Sequence, residues 1–125
     1  MIRNFLLIGI GGGAGSIARY LCQKWFNETY PHPFPWGTFT VNLIGCFLIG
    51  IIYAASEKTS FLSSQIRLLL ITGFCGGYTT FSTFAFENMS LLRSGDNLYF
   101  IIYVMASVVL GIAAVFAGIA LMKLL

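Results

Sequence analysis

Apolar residues fill four long stretches of the chain, and charged residues stand only between or at the ends of these stretches. The uncharged intervals are residues 4–18, 29–56, 68–86 and 97–122. A helix needs about 20 mostly apolar residues to cross the hydrocarbon core of a bilayer. The last three intervals meet this length directly, and the first does so if Arg19 lies near its end. We therefore predict an all-α membrane protein with four transmembrane helices in a single domain. The predicted spans are residues 2–26, 36–56, 65–93 and 97–124.

The composition leads to the same class of protein. Of the 125 residues, 58% are hydrophobic and 9% are charged, against about 25% charged residues in an ordinary soluble domain. A soluble fold of this size could not bury so much apolar surface. A cleaved signal peptide is the alternative for the first segment, which has Arg3 before it and small residues at 14–16. Because the apolar run continues through Leu21 and three more segments follow, we expect a multi-pass protein of the cell (inner) membrane.

The basic residues give almost no preference for one orientation in the membrane. With four spans, one side carries Arg3, Lys58, Arg67 and Lys123, and the other carries Arg19, Lys24 and Arg93. Because an excess of Lys and Arg in the loops sets orientation, this balance predicts insertion in both directions. A fixed orientation with a weak signal is the alternative. Dual insertion permits an antiparallel homodimer, the two-chain equivalent of inverted-repeat transporters.

Glycines at positions 9–15 superficially fit the GxGxxA pattern of dinucleotide-binding folds. No βαβ unit follows them, and the acidic residue that such a fold needs is missing, so we reject this interpretation. In a membrane helix the same glycines form small-xxx-small pairs, which allow helices to pack closely. These pairs are Gly9/Gly13, Gly11/Gly15 and Gly12/Ser16.

The third span contains the most informative polar cluster. Its pair Gly76-Gly77 falls at mid-membrane depth and indicates either a packing notch or a break in the helix. Breaks at this depth occur only where protein or a cavity satisfies the freed backbone groups. The freed carbonyls could bind a cation, and the helix that follows would favour an anion at its N-terminus. We therefore predict that the third helix is broken in the middle of the membrane.

A dense group of hydroxyls follows the glycine pair. At helical spacing Thr79, Ser82 and Thr83 would share one face, and Phe81 and Phe84 another. The hydroxyls either bond their own i−4 carbonyls or line an anion path. Phenyl ring edges carry partial positive charge and solvate an anion weakly, which suits conduction. Ordinary packing against lipid or a neighbouring helix is the alternative for both rings. Thr80 belongs to the same hydroxyl group.

Further polar residues stand in otherwise apolar segments. Asn42 has an amide donor without an evident local partner, and Tyr103 and Ser107 are i and i+4 on the fourth span. Arg19 either attracts anions into a vestibule or snorkels to the membrane surface. Glu87 is an acid close to a helix end inside a predicted span, which makes it a candidate functional residue.

Together these motifs resemble the Fluc (CrcB) family of fluoride channels, and the resemblance covers essentially the whole chain. It rests on GGGAGSIARY at 11–20, on GTFTVN and Gly45 in the second span, and on GFCGG followed by TTFSTF in the third. The third-span motif is the most specific. The resemblance implies an antiparallel dual-topology homodimer with two pores. It also implies a passive, fluoride-specific channel through which the ion leaves the cytoplasm.

The resemblance also implies roles for individual residues. A sodium ion on the dimer axis would be held by the backbone carbonyls of Gly76 and Thr79. Phe81 and Phe84 would line the pores, and Asn42 would reach toward the anion. The other pore residues implied are Thr38, Ser82, Thr83, Glu87, Tyr103 and Ser107.

Two other classes of function remain open from the residues alone. A proton-coupled exporter of the small multidrug-resistance kind shares the size, the four spans and the dual topology. Such an exporter needs a mid-membrane acid in its first helix, whereas Glu87 lies late in the third span. An accessory membrane subunit would need only the glycine faces. No nucleophile–base pair, metal cluster or phosphate loop in the sequence argues for an enzyme.

Overall fold

The computed structural model describes residues 1–60 and 62–125. Within these residues, four helices are long and apolar enough to cross a membrane, which confirms the prediction of an all-helical chain with four candidate spans. Helix α1 is Ile2–Thr29 and α2 is Trp36–Lys58. Both end two or three residues later than the sequence suggested, because polar residues continue the helix beyond the apolar run.

The third span, Ser64–Arg93, is divided into several pieces. In chain order these are α3 (Ser64–Arg67), the π-helix π1 (Leu68–Cys75), α4 (Gly76–Tyr78) and α5 (Phe81–Arg93), and the fourth span is α6 (Asn97–Leu124). A π-helix has i→i+5 hydrogen bonds, is rare, and is frequent at functional sites. The π-helix was not predicted from the sequence.

The helix is broken at Thr79 and Thr80, and not at the glycine pair. Both threonines have extended backbones, with φ −86°, ψ 156° and φ −150°, ψ 115° respectively. Gly76 keeps helical dihedrals of φ −62°, ψ −37°. A Cβ on Gly77 would lie 2.3 Å from the carbonyl oxygen of Gly12. Gly77 is therefore a packing notch against α1, and the break follows it.

Helix α1 packs chiefly against the first half of the third span. At Gly11 and Gly15 the backbones approach so closely that a Cβ would lie 2.3 and 2.1 Å from carbonyl oxygens of that span. These two glycines form the predicted close-packing pair. Gly9 and Gly13 instead have no described atom within 4 Å of an added Cβ, so they face away from the rest of the chain.

Helix α2 packs chiefly against α6, again through small residues. A Cβ on Gly50 would lie 2.3 Å from the carbonyl oxygen of Val115, and one on Gly118 would lie 2.3 Å from that of Phe47. Such close approach replaces the hydrophobic driving force that helices lack in lipid. The spans thus form two tight pairs, α2 with α6 and α1 with the first half of the third span.

An aromatic cluster lies beneath the loop between α1 and α2. Phe34, Phe39, Leu91 and Tyr103 are buried together. The loop is pinned by His32, whose Nδ1 accepts the backbone N–H of Phe34 at 3.0 Å. The cluster fixes the ring of Tyr103, and thereby the position of its hydroxyl, inside the bundle.

The outward faces of the bundle are apolar. Ile10 and Ile17 on α1 and Phe116 on α6 are exposed. Lipid tails can cover such side chains without cost, since the tails are as apolar as leucine. Exposed Trp25 and Trp36 lie near the first loop, as expected for aromatic residues at a membrane–water interface.

Candidate functional site

The break in the third span is held open by Asn42 of α2. The side-chain Oδ1 accepts the backbone N–H of Thr80 at 2.8 Å. The side-chain Nδ2 donates to the carbonyl oxygen of Thr80 at 3.2 Å. The amide therefore replaces both partners that a continuous helix would give the backbone N–H and C=O of Thr80. Asn42 has no local partner in the sequence, and the partner that the structure shows is 38 residues away. One Nδ2 hydrogen remains for another acceptor.

The hydroxyls beyond the break form a helix cap. The Oγ1 of Thr80 accepts the backbone N–H of Thr83 at 3.2 Å, and it donates to the hydroxyl of Thr83 at 3.0 Å. The hydroxyl of Ser82 lies 3.3 Å from the same atom. Thr79 instead donates to the carbonyl of Cys75 at 2.9 Å, its own i−4 position. The predicted face of Thr79, Ser82 and Thr83 is wrong, because helical spacing does not continue across the break.

A cleft of about 290 Å³ opens beside the break, and we call it the mid-span cleft. Its walls come from α2, the break, α5 and α6. The lining residues are Asn42, Cys46, Ile49, Thr79, Thr80, Phe81, Phe84, Ser107 and Val108.

Two phenylalanine rings and one hydroxyl give the mid-span cleft its chemistry. The rings of Phe81 and Phe84 have centroids 5.7 Å apart, so the two residues share a face of α5 as predicted. Phe81 is 80% exposed in the single chain, so it is not part of this chain's core. The hydroxyl of Ser107 is buried and has no hydrogen-bond partner in the described part of the chain. The cleft therefore combines ring edges with a hydroxyl that is free to donate.

Glu87, one turn beyond Phe84 on α5, is held by two hydroxyl donors. The hydroxyl of Thr38 donates to Oε2 at 3.1 Å, and that of Tyr103 donates to Oε1 at 3.1 Å. The ring of Tyr103 in turn contacts that of Phe84, edge to face, at 4.8 Å between centroids. Four predicted pore residues from three helices thus form one connected group.

A second cavity, of about 440 Å³, lies under the first and third loops, and we call it the loop-side cavity. Its lining residues are Asn27, His32, Pro33, Pro35, Glu87, Ser90, Leu91, Ser94 and Asp96. Because Glu87 lines this cavity and Phe84 lines the mid-span cleft, α5 connects the two spaces through one turn of helix. The connection consists of hydroxyl donors and aromatic rings.

The end of α4 supplies backbone oxygens at the break. The carbonyl of Gly77 accepts from Arg19 Nε at 3.0 Å and from Ser16 Oγ at 3.5 Å. The guanidinium therefore points into the bundle and does not snorkel to the surface. The carbonyls of Gly76 and Thr79 receive no hydrogen bond from the described residues, and Gly76 is exposed in the single chain. These two oxygens can act as ligands for a hard cation.

Comparison with known proteins gives this group of residues its context. The family described as "CrcB-like protein, Camphor Resistance (CrcB)" matches residues 6–119. The chain belongs to the CrcB-like family. The resemblance noted in the sequence motifs is thereby confirmed, and the match takes in each polar residue of the two cavities.

Curated relatives of the family resemble the chain over nearly its full length. A protein of Leptospira interrogans is 48% identical, over 97% of this chain and 95% of its own. One of Bacteroides fragilis is 50% identical over 94% of both chains. One of Chlorobaculum tepidum is 49% identical, over 99% of this chain and 98% of its own. Each of these relatives bears the name fluoride-specific ion channel FluC.

Sequence reasoning missed one residue that contacts the connected group, Gln23. The side-chain Nε2 of Gln23 on α1 donates to the hydroxyl of Thr38 at 3.0 Å. A signal was present, because Gln23 lies four residues after Arg19 and four before Asn27, so the three polar side chains share a face of α1. Thr80 was assigned to the hydroxyl group, but its function as the helix cap was not foreseen.

Proposed function

We propose that this protein is a fluoride-specific ion channel of the inner membrane, which lets fluoride leave the cytoplasm passively. The observation that carries the proposal is the arrangement along α5. Glu87, which is held by two hydroxyl donors, lines the loop-side cavity, Phe84 follows, and the mid-span cleft beyond it holds a free hydroxyl at Ser107. The names of the relatives support fluoride as the ion.

The donors suit a small, strongly hydrated anion. Hydroxyl groups and the remaining amide hydrogen of Asn42 can replace part of the water that fluoride loses. The ring edges of Phe81 and Phe84 add weak attraction without a full positive charge. Weak binding at several points allows the ion to enter and also to leave, as conduction requires. The pore is proposed to include Ser82 and Thr83 beside these rings.

The working unit is proposed to be an antiparallel, dual-topology homodimer with two pores. Phe81 is 80% exposed although it lines the mid-span cleft, so a single chain leaves the cleft open on one side. A second copy would close it and would bury this ring. The near balance of basic residues on the two sides allows the inverted copy to insert.

A structural sodium ion on the dimer axis is part of the proposal. The carbonyls of Gly76 and Thr79 fit this role, because they receive no hydrogen bond from the described residues and lie at the break. One chain offers two such oxygens, and a symmetric partner would offer two more. Such an ion would join the two broken helices without any acidic side chain.

The experiment that tests the channel uses purified protein in liposomes. We expect Phe81→Ile and Phe84→Ile to reduce fluoride efflux greatly, since isoleucine keeps the bulk and removes the ring quadrupole. Phe5→Ile and Phe116→Ile are matched controls, because these rings are 63% and 67% exposed and lie outside both cavities. A fluoride electrode measures the release, and size-exclusion chromatography confirms folding.

Three results would contradict the proposal. Full efflux in both Phe81→Ile and Phe84→Ile would mean that these rings serve ordinary packing and do not line a pore. Efflux that requires a proton gradient would favour the exporter class instead, and absence of any efflux would favour an accessory subunit.

A further inference from the structure

Polar residues form a stripe along one face of α1, from the break to the loops. Ser16, Arg19, Gln23 and Asn27 follow one another at spacings of three and four residues, so they share a helix face. Ser16 and Arg19 bind the carbonyl of Gly77, and Asn27 lines the loop-side cavity. Polar side chains inside a span are costly and usually have a function. Gln23 is the member of the stripe that contacts the connected group around Glu87.

The contact of Gln23 determines where the proton of Thr38 points. The hydroxyl of Thr38 lies 3.0 Å from Gln23 Nε2 and 3.1 Å from Glu87 Oε2. A hydroxyl has one hydrogen, and an amide NH₂ group can only donate. Since Gln23 donates to the threonine oxygen, the single proton of Thr38 is directed to the carboxylate. Thr38 is only 3% exposed, so water has little access to its hydroxyl.

The opposite amide orientation would leave a contact without a proton. If Gln23 presented its oxygen, Thr38 would donate to it and would turn a lone pair toward the ionised carboxylate of Glu87. Two acceptors would then face each other in a buried site, which is costly. The chain of donors from Gln23 to Thr38 to Glu87 is the one arrangement in which each contact of an ionised Glu87 has a hydrogen.

We propose that Gln23 is a positioning residue of the channel, which keeps the Thr38 proton on Glu87. Glu87 is then held by two hydroxyl donors, Thr38 and Tyr103, and its negative charge is compensated where it faces the loop-side cavity. Without this compensation the carboxylate repels an anion entering the cavity. The inference rests on the proposed function and adds α1 to the elements that control anion passage.

Replacing Gln23 removes the constraint on Thr38 and leaves Glu87 with one dependable donor. A threonine in a helix readily turns its hydroxyl to a backbone carbonyl instead. We expect Gln23→Met, which keeps the length of the side chain, to lower fluoride efflux about fivefold or more, the equivalent of one hydrogen bond of ~1 kcal/mol. Gln23→Glu, which is isosteric and accepts the Thr38 proton, should lower efflux at least as much. Gln65→Met on α3 is the matched control, because this glutamine side chain has no hydrogen bond to the described residues.

A double-mutant cycle separates positioning from general support of the fold. In a Thr38→Val background no hydroxyl remains to be oriented, so Gln23→Met should change efflux by less than about twofold. The same liposome assay measures all variants, and size-exclusion chromatography checks that each folds. If Gln23→Met does not fold, Gln23→Glu decides, since it preserves the volume.

The outcomes distinguish this inference from the proposed function. If liposomes with the wild-type protein release fluoride and both Gln23 variants release it at the same rate, the inference alone is overturned. An equal fractional loss from Gln23→Met with and without the Thr38 hydroxyl also overturns it, because Gln23 would then act independently of Thr38. A wild type that releases no fluoride overturns the proposed function, and this inference with it.

Discussion

Replacing Asn42 by leucine should destabilise the protein strongly, because one side chain holds the whole break. The variant loses two hydrogen bonds to Thr80, at 2.8 and 3.2 Å. Thr80 is only 9% exposed, so little water can replace them. A buried polar group left unpaired costs about 1–3 kcal/mol, and two such groups give a loss of about 2–6 kcal/mol in the free energy of unfolding. Fluoride efflux should be lost as well, since the mid-span cleft loses its shape and its amide donor.

Asn42→Asp tests the amide hydrogens separately from the shape of the side chain. The carboxylate still accepts the N–H of Thr80, but an oxygen without a hydrogen then faces the carbonyl of Thr80 in a buried site, so the loss of stability should be at least as large as in Asn42→Leu. Efflux should still be abolished, because a negative charge then faces the mid-span cleft.

Denaturant unfolding of the detergent-solubilised protein measures the stability, and liposome release measures the flux. Asn4→Leu is the control, since this asparagine is exposed at the start of α1. Unfolding of Asn42→Leu at the wild-type denaturant concentration would refute the idea that Asn42 holds the break.

Three further predictions test the packing, the topology and the cation. Gly77→Ala should lower the free energy of unfolding by about 1–3 kcal/mol through overpacking, because its Cβ would lie 2.3 Å from the Gly12 carbonyl oxygen. Gly13→Ala is the control and should be neutral in the same unfolding assay, because its Cβ meets no described atom within 4 Å. In a variant with Lys58→Cys as its single cysteine, an impermeant thiol reagent should label about half of the molecules from one side of the membrane; labelling of all or none would exclude dual insertion. The thermal stability of the purified protein should rise with the logarithm of the sodium concentration, when a large organic cation replaces sodium to keep the ionic strength constant. A thermal stability that does not change with sodium would argue against a structural sodium ion.

The sequence predicted the existence of the break but not its position. Gly76-Gly77 was the obvious weak point, since glycine is a poor helix former. The break occurs at Thr79 and Thr80 because Asn42, 38 residues away from Thr80, offers hydrogen bonds to that peptide unit. A tertiary contact of this kind leaves no trace in local propensity, whereas the four spans depend on hydropathy alone and could be predicted directly.

The candidate site was predictable to a similar degree. Glu87 was conspicuous as an acid close to the end of a span, but its partners are 49 and 16 residues away, at Thr38 and Tyr103. Their hydroxyls meet only once the helices have packed. Gln23 could have been suspected from the polar stripe on α1, but its contact with Thr38 depends on how α1 packs against α2.

The pairing of the spans has a consequence for how the chain is made. Helix α1 finds its main partner in the third span, and α2 finds its partner in the last, so neighbouring spans in the sequence are not the tightest pairs in space. During synthesis α1 and α2 must therefore enter the bilayer before the glycine surfaces they pack against have left the ribosome. Each early span is stabilised at that stage by its own hydropathy and by lipid. Its direction is decided by the few nearby basic residues before any packing can correct it, so the proposed dual insertion would have to be settled while the chain is still being made.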